Sequence, residues 1–338
     1  MSIYAGLDVS DKTTHICVVD SDGGVLRRDV VASDPEVFAK WFHKHSRGIT
    51  RVVPETGTLS TFLYHGLKER DVPIECICAR HAKGALSARV NKSDVHDAEG
   101  LAQLARTGWF KRVHMKASAT HIDRAALRIR AQLITTRVAM INQLRGLLKL
   151  FGLRLNQVTT PAKRAERLAA LYRQRPDLED VFAPLVACVD TVEQQLRASG
   201  RLLERRASSD TVCARLMSVP GVGPITALTY TASIEDPRRF ARSQDVGAYV
   251  GLVPRRTQSG ERDTKGHISR AGDGMLRSAL YEAANSILCR VKRPSALQEW
   301  GRRMSETKGT RRARTAVARK LAVLLHSLWL NETEFRWA

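Results

Sequence analysis

The stretch IYAGLDVSDKTTHICVV, residues 3–19, opens the chain and decides its fold class. Apolar residues dominate 3–7 and 15–19, and a third such run, 25–31, follows the turn sequence SDGG at 21–24. Two apolar runs joined by a short Gly-containing turn are typical of a β-hairpin. The three runs together therefore predict an antiparallel meander of three strands.

Helices and strands alternate after this meander. Asp34 before Pro35 predicts the start of a helix, with Asp as N-cap and Pro in the first turn. Further strands are predicted at 49–53 and 73–78, and further helices at 58–70 and 94–106, the last ended by Gly108. A meander followed by alternating helices and strands is typical of an RNase H-like sheet, in which acids gather at the strand ends.

Four carboxylates lie at the ends of these predicted elements. Asp8 closes the first strand, Glu55 follows the fourth, and Asp94 and Asp97 share one face at the start of a helix. Mg²⁺ prefers such oxygen ligands, and phosphoryl-transfer sites often hold two ions about 4 Å apart. Ordinary solvated acids are the alternative, which Asp8 opposes because an unpaired acid is costly to bury beside an apolar strand.

The charge of the chain is unevenly distributed. The 338 residues include 55 Lys+Arg and 34 Asp+Glu, a net charge of +21, yet residues 1–110 contain 14 basic and 14 acidic residues. All of the net charge therefore lies in 111–338, which predicts a polyanionic partner, most simply nucleic acid. A basic ribosomal or membrane-surface protein is the alternative.

The six cysteines include no CxxC pair, so neither a zinc site nor a disulfide framework is indicated. The sequence shows no signal peptide and no long apolar span. We expect a cytoplasmic protein that makes no use of a membrane.

The middle of the chain carries two apolar repeats, over 122–150 and 178–203, with spacings that alternate between four and three. This spacing predicts coiled-coil helices, and Pro161 and Pro176 between them predict an antiparallel return. The repeats pair within one chain or form a dimerising arm. The sequence thus predicts an α/β domain over 1–115, a helical coiled-coil region over 116–205 and a mostly helical domain over 206–338.

The sequence PGVGPITA, residues 220–227, predicts a helix-hairpin-helix over about 214–230, with a plain turn as the alternative. In such a motif the amides that follow Gly221 and Gly223 bind a phosphate. The polar stretch 249–274 predicts an exposed functional loop that presents Ser259 before Gly260.

Basic residues follow in two groups that could contact phosphates. The first group surrounds Ser259 and consists of Arg255, Arg256, Arg262, Lys265 and Arg270. The second belongs to a basic helix predicted over about 301–330, in which Arg311, Arg312 and Arg314 contact a nucleic-acid backbone or form a solvated face.

Six motifs in this order resemble the bacterial DEDD transposases of insertion-sequence family 110, relatives of the Piv invertase. They are GLDVSDK (6–12), PETG (54–57), KSDVHDAEG (92–100), PGVGPITA, YVGLVPRRTQSG (249–260) and HISRAGDGMLRSAL (267–280). The resemblance covers nearly the whole chain. It implies a RuvC-like amino-terminal domain and a distinct carboxyl-terminal transposase domain that supplies a serine.

The resemblance also implies the roles of individual residues. Asp8, Glu55, Asp94 and Asp97 would bind Mg²⁺ (or Mn²⁺), and Ser259 would be the nucleophile, with Ser269, Ser278 and Ser243 as alternatives. The partners would be double-stranded DNA, at the element ends and the target, and a structured non-coding guide RNA. Since recombination exchanges four strands, we expect a homo-oligomer, a dimer or tetramer on DNA.

Two other functions remain compatible with the sequence. A RuvC-like structure-selective nuclease would use metal-activated water and no protein nucleophile. A non-enzymatic scaffold for RNA or DNA would need none of the four acids, so their joint presence opposes it.

Overall fold

The computed structural model describes residues 2–87, 93–156 and 160–337, so Lys92, the first residue of the third motif, lies outside the described residues. The chain is mixed α/β and divides into two units, residues 1–118 and 119–338.

The first unit is built on a four-stranded sheet in the order β3-β2-β1-β4. Its strands are β1 (Ile3–Val9), β2 (Thr13–Val19), β3 (Val25–Ala32) and β4 (Ile49–Pro54). β2 is antiparallel to both β1 and β3, whereas β4 is parallel to β1. The predicted meander is therefore confirmed.

The fifth strand predicted over 73–78 is only partly formed. This segment runs parallel to β4 but pairs with it through two isolated bridges, Val52 to Ile74 and Glu55 to Ile77. Pro73 lacks an amide hydrogen and contributes only its carbonyl, which accepts from Val52. The prediction of a continuous strand was wrong in this respect.

Four helices cover the sheet: α1 (Pro35–His45), α2 (Ser60–Lys68), α3 (Ala79–Leu86) and α4 (Asp94–Thr107). The Asp34 carboxylate accepts from the amides of Glu36 and Val37, which confirms the predicted cap. Gly108 ends α4 with a φ of 68°, in the left-handed region that favours glycine. The helix α3 was not predicted.

The second unit is mainly helical. Its helices are α5 (Ser118–Leu150), α6 (Pro161–Tyr172), α7 (Glu179–Ser208), α8 (Thr211–Met217), α9 (Pro224–Ile234), α10 (Ser243–Tyr249), α11 (Gly274–Cys289), α12 (Ala296–Lys308) and α13 (Thr310–Leu330). Its core lies among α8, α9, α11 and α13, where the fully buried Tyr230 donates its hydroxyl hydrogen to the carbonyl of Ala322.

The long helices α5 and α7 run antiparallel, as predicted. Leu127 packs with Leu203 at one end of the pair, and Leu144 packs with Phe182 at the other. α6 packs against α7 through Arg164, a buried guanidinium that donates to both carboxylate oxygens of Glu193 at 2.9 Å.

The predicted apolar seam of α5 is displaced by one residue. Ile122, Ile129 and Leu150 of that seam are 59%, 58% and 75% exposed, whereas the buried residues of α5 are Leu127, Leu144 and Leu148. Leu144 and Leu148 share a cluster with Leu168 and Tyr172 of α6, whereas Leu127 belongs to the main core of the unit. The coiled-coil assignment itself stays a prediction.

Two predictions in the last third are corrected. The expected loop over 249–274 contains a two-stranded hairpin, β5 (Pro254–Ser259) and β6 (Arg262–Ile268). The expected basic helix over 301–330 is two helices, α12 and α13, which are separated by Gly309 with a φ of 82°. No helix within the described ranges is both long enough and apolar enough to cross a bilayer.

Candidate functional site

Asp8 and Glu55 lie at the same end of neighbouring strands. β1 and β4 run parallel, and Gly6 pairs with Val53 one register step before their pairing ends. Val53 belongs to the cluster that packs under α4, and side chains two residues apart point to the same face. Asp8 and Glu55 therefore belong to the face of the sheet that α4 covers.

The close contact of α4 with this face depends on Gly6. A Cβ atom at Gly6 would lie 2.1 Å from the carbonyl oxygen of Ala98 and 2.2 Å from the amide nitrogen of Ala102. Both are backbone atoms of α4 and cannot move aside without moving the helix. The glycine thus allows α4 to cross β1 directly, and Asp97 immediately precedes the crossing residue Ala98.

Asp94 is joined to Asp8 through a histidine. His15 is the cross-strand partner of Asp8 on β2, and Nε2 of His15 lies 3.7 Å from Oδ2 of Asp94. The first turn of α4 therefore lies over the end of β1. The structure brings the four predicted acids to one end of one face of the sheet.

The four acids share one end of the sheet, but they do not form a closed metal site. Within the described part of the chain, no three His, Cys, Asp or Glu side chains are grouped closely enough to hold a metal ion. Asp94 is 68% exposed in its side chain and Glu55 is also exposed. Binding an ion would therefore require these exposed carboxylates to close on it.

Ser259 is the last residue of β5 and lies at the tip of an exposed hairpin. Its Cα pairs with that of Arg262, and the turn between them is Gly260 and Glu261. Gly260 has a φ of 54°, which a two-residue hairpin turn requires and which glycine adopts without strain. The sequence thus presents the serine hydroxyl to solvent beside a basic residue.

The other basic residues of the hairpin differ in how they are held. Arg256 donates two hydrogen bonds of 2.8 Å to the carboxylate of Asp263 on the opposite strand, which raises the pKa of the guanidinium. Arg255 donates to the carbonyl of Ser269 at the base of the hairpin. Arg256 is therefore engaged within the hairpin, and Arg262 is the residue directly opposite Ser259.

The segment with Gly221 and Gly223 joins α8 to α9. Gly221 has a φ of 82°, and a Cβ there would lie 2.9 Å from the carbonyl oxygen of Ala283 on α11. A Cβ at Gly223 would meet nothing within 4 Å. Gly221 is therefore explained by the packing of the turn against α11, whereas Gly223, which precedes α9, lies beside open space.

A cavity of about 1670 Å³ brings several of the predicted basic residues together. Lys265 and Arg270 line it from the hairpin side, and Arg311 and Arg312 line it from α13. Arg314 is not among the lining residues. The neighbouring Tyr281 on α11 raises the pKa of its guanidinium.

Sequence reasoning missed two residues near these groups. Asp273 caps α11 by accepting from the amides of Met275 and Leu276, and it accepts a 2.8 Å hydrogen bond from Arg124 of α5. Burial raises the pKa of this carboxyl, but Arg124 and the two amides outweigh burial, so its pKa is lowered. An Asp-Gly pair before an apolar helical run is the sequence signal that would have indicated the cap.

Trp300 on α12 is the second missed residue. It is half-buried in the wall of the cavity, and the ammonium of Lys320 lies 3.8 Å from the centre of its ring. A tryptophan followed by basic residues on one helix was the available signal. The role of Trp300 could not be predicted, because it depends on Lys320 of α13, and the sequence did not show α13 to be a separate helix.

Comparisons with known proteins match both units. A model described as transposase of the IS116/IS110/IS902 family matches residues 213–300, and a DEDD transposase model of the IS110 type matches residues 5–153. The transposase for insertion sequence element IS1111A of Coxiella burnetii is 29% identical over 347 residues, which cover 98% of this chain and 90% of that protein. A probable family 20 transposase of Pseudomonas aeruginosa is 30% identical, over 73% of this chain and 74% of that one.

A solved structure of Thermus thermophilus RuvC also aligns, with 16% identity and a TM-score of 0.26, over 33% of this chain and 99% of that chain. The two family models together reach into both units, and the Pseudomonas relative is matched over most of its length. The chain therefore belongs to the IS116/IS110/IS902 family of transposases, enzymes that cleave and rejoin DNA.

Proposed function

We propose that this transposase moves its own insertion sequence through two groups of residues. The acids Asp8, Glu55, Asp94 and Asp97 hold Mg²⁺ or Mn²⁺, and Ser259 is the nucleophile. The placement of the four acids at one end of one sheet face is the observation that carries the proposal. Gly6 lets α4 cross β1 at this end of the sheet, so Asp94 and Asp97 in the first turn of α4 lie on the same face as Asp8 and Glu55.

The donor set suits a divalent cation, because carboxylate oxygens are the hard ligands that Mg²⁺ and Mn²⁺ accept. A bound cation would offset the negative charge that develops on the phosphoryl and leaving oxygens. His15, the cross-strand partner of Asp8, would help to orient the Asp94 carboxylate.

Ser259 would carry the covalent step. Its Oγ attacks the phosphorus of a DNA phosphodiester, an Oγ–P bond forms, and the bond from phosphorus to one sugar oxygen breaks. The serine proton passes to solvent, and the leaving sugar oxygen takes up a proton. The phosphoserine remains a phosphodiester, so a DNA hydroxyl can reverse the step and rejoin the strands. Arg262, directly opposite on β6, is placed to hold the attacked phosphate.

The surroundings of the other serines support Ser259. Ser243 Oγ is hydrogen-bonded to Nδ1 of the buried His326 at 2.9 Å. Ser269 Oγ accepts from the amide of Ala271 at 3.3 Å, within the turn that follows the hairpin. Both hydroxyls have a structural partner. Ser278 is exposed on α11 and remains the alternative nucleophile.

The experiment that tests the proposal uses a nicked suicide duplex that spans an end of the element. The wild-type protein should leave a covalent adduct, and peptide mapping should place the DNA on Ser259. Ser259→Ala should bind DNA and form no adduct, while Asp8→Asn and Asp94→Asn should bind and not cleave. Asp22→Asn is the matched control, because Asp22 is an exposed acid in the turn between β2 and β3.

An adduct on Ser278, or on a tyrosine such as Tyr249, would refute the role of Ser259. Cleavage with no adduct would favour a nuclease that uses metal-activated water. Normal cleavage by both acid variants would end the assignment of the metal site.

The partners belong to the same proposal. The enzyme would act in the bacterial cytoplasm on double-stranded DNA at the element ends and target, guided by a structured RNA from the element. The PGVGP turn would act as a helix-hairpin-helix, with the amides after Gly223 facing a phosphate. Protein purified from cells that carry the whole element should retain an RNA of defined sequence from its non-coding flank. If the purified protein retains no such RNA, the proposal of a guide RNA is contradicted.

A further inference from the structure

The cavity of the second unit has the chemistry of a binding site for unpaired DNA. It lies between β6, α12, α13 and the carboxyl-terminal segment, and apolar side chains such as Leu252, Leu297 and Leu324 line part of it. We propose that this cavity holds unpaired nucleotides of the DNA strand next to the phosphate that Ser259 attacks. The inference rests on the proposed function of Ser259 and adds to it a site for the strand.

The charge of the lining residues selects a polyanion. Six basic side chains come from the hairpin side and from α13: Lys265, Arg270, Arg311, Arg312, Arg319 and Lys320. A seventh, Arg336, comes from the carboxyl-terminal segment, and none of the described lining residues is acidic. Lys and Arg release counterions when they contact phosphates, so this lining favours a nucleic-acid backbone.

The apolar part of the cavity selects unpaired bases over a duplex. A duplex buries its bases and presents phosphates, so it would leave the leucine-lined surface without contacts. A single strand can place its phosphates on the basic residues and its bases on the apolar ones. A volume of about 1670 Å³ exceeds a usual small-ligand pocket of about 300–1,000 Å³, so it accommodates several nucleotides.

Trp300 provides the stacking surface. The ammonium of Lys320 now lies over its ring, at 3.8 Å from the ring centre. A cation held over an aromatic ring at a half-exposed site is bound more weakly than a stacked base. A base can therefore replace Lys320 on the ring, and the released ammonium remains close enough to pair with the phosphate of that nucleotide.

The hairpin connects this cavity to the nucleophile. Lys265 lines the cavity and lies three residues along β6 from Arg262, the partner of Ser259. A strand rises about 3.3 Å per residue, so the cavity begins about 10 Å from Ser259. Stacked nucleotides are spaced about 3.4 Å apart along one strand, so this distance spans about three of them. The strand would enter the cavity about three nucleotides from the cleaved bond.

The test compares a fluorescein-labelled oligothymidylate of about 12 nucleotides with a hairpin duplex, by anisotropy over a series of salt concentrations. Trp300→Ala should weaken binding of the single strand about tenfold or more, because each stacked base contributes strongly to affinity. Binding of the duplex should not change. Trp300→Phe keeps an aromatic face and should restore most of the affinity.

Trp109→Ala is the matched control, because Trp109 is 70% exposed in the first unit and should affect neither DNA. A second measurement avoids variants: an oligothymidylate with 5-iodouracil at one position is irradiated, and the cross-linked peptide is sequenced. The cross-link should fall on Trp300.

Equal weakening for both DNAs, no weakening for either, or a cross-link outside the cavity would overturn the inference. A Trp300 effect seen only with an oligouridylate would assign the cavity to RNA and also overturn it. If the wild type binds neither DNA at any salt concentration, the proposed function fails first. These outcomes are therefore distinguishable.

Discussion

A single hydrogen atom on Gly6 determines where α4, and with it Asp94 and Asp97, lies on the sheet. We expect Gly6→Ala to displace the helix, because the added methyl group meets backbone atoms of Ala98 and Ala102 at 2.1–2.2 Å. Overpacking of this kind costs about 1–3 kcal/mol. The free energy of unfolding, measured with urea, should fall by that amount, and strand cleavage should be lost.

Gly57→Ala is the control for this prediction. A Cβ at Gly57 meets nothing within 4 Å, although Gly57 also follows β4 near Glu55. Equal losses in the two variants would contradict the role of Gly6.

Asp273 joins α5 to α11 through Arg124, and both side chains are 15% exposed. Asp273→Ala leaves the guanidinium unpaired and removes the cap of α11, so it should lower the free energy of unfolding by about 3–5 kcal/mol at neutral pH. The pKa of Asp273 is lowered in the folded state. Its contribution is therefore complete above the unfolded pKa of about 3.9 and is lost as pH falls through the folded pKa.

Urea unfolding of wild type and variant at neutral and acidic pH checks this prediction. The difference between them should shrink below about pH 4. Asp210→Ala is the comparison, since Asp210 caps α8 through the amide of Cys213 and should cost about 1 kcal/mol. If the difference in free energy of unfolding between wild type and Asp273→Ala grows on acidification, the pKa of Asp273 is not lowered in the folded state.

At the scale of elements, the outer face of α5 should mediate self-association. Ile122 and Ile129 lie one heptad apart and are 59% and 58% exposed. Ile122→Glu with Ile129→Glu should give monomers with an unchanged melting temperature, because these side chains contribute little to the core. Light scattering with and without DNA measures the mass.

Leu127→Glu is the contrasting variant. Leu127 is 3% exposed and should unfold the second unit rather than separate the subunits. A wild type that stays monomeric with DNA bound would show that the α5 and α7 repeats pair only within the chain.

The sequence predicted those elements whose signal is local. Asp34-Pro35 and Gly108 act on their own turns, and the apolar runs of β1 and β2 can be recognised without distant contacts. Asp8, Glu55 and Asp94 were selected because each lies at an element end, and Asp97 because it lies one turn after Asp94; their role as metal ligands stays a prediction. The α5 seam was misplaced because its buried positions belong to two clusters, one shared with α6 and one in the main core of the unit, which heptad spacing does not encode. The strand 73–78 is only partly paired with β4 because Pro54 and Pro73 lack the amide hydrogens that a continuous ladder needs.

The missed site residues have the same cause. Trp300 on α12 was missed because its partner, Lys320, lies on α13. The two side chains can face each other only because the chain turns at Gly309, and the sequence did not indicate that turn. Arg314 sits between Arg312 and Thr315 in the sequence but packs toward Tyr281. Side-chain direction on a helix depends on which face the core takes, and a basic run alone does not reveal it.

At the scale of the whole molecule, the net charge of +21 should make DNA binding strongly dependent on salt. Arg311→Gln with Arg312→Gln should reduce the slope of log affinity for single-stranded DNA against log salt concentration by about 1.4, because each phosphate contact of a single strand contributes about 0.7. Arg314→Gln is the matched control and should leave the slope unchanged. A change of equal size in the control would show that α13 binds DNA through a different face.

The hairpin that carries Ser259 has a further consequence, for solubility. β5 and β6 form a sheet of only two strands, so each has an outer edge whose backbone groups no third described strand covers. Such edges invite pairing with the same edge of another molecule. Arg255 on β5 and Arg262 and Lys265 on β6 place positive charge on both strands, so two hairpins repel each other at neutral pH. The charges proposed to attract DNA would therefore also keep the DNA-free protein from aggregating. A variant that lacks all of them should bind DNA weakly and should also be insoluble.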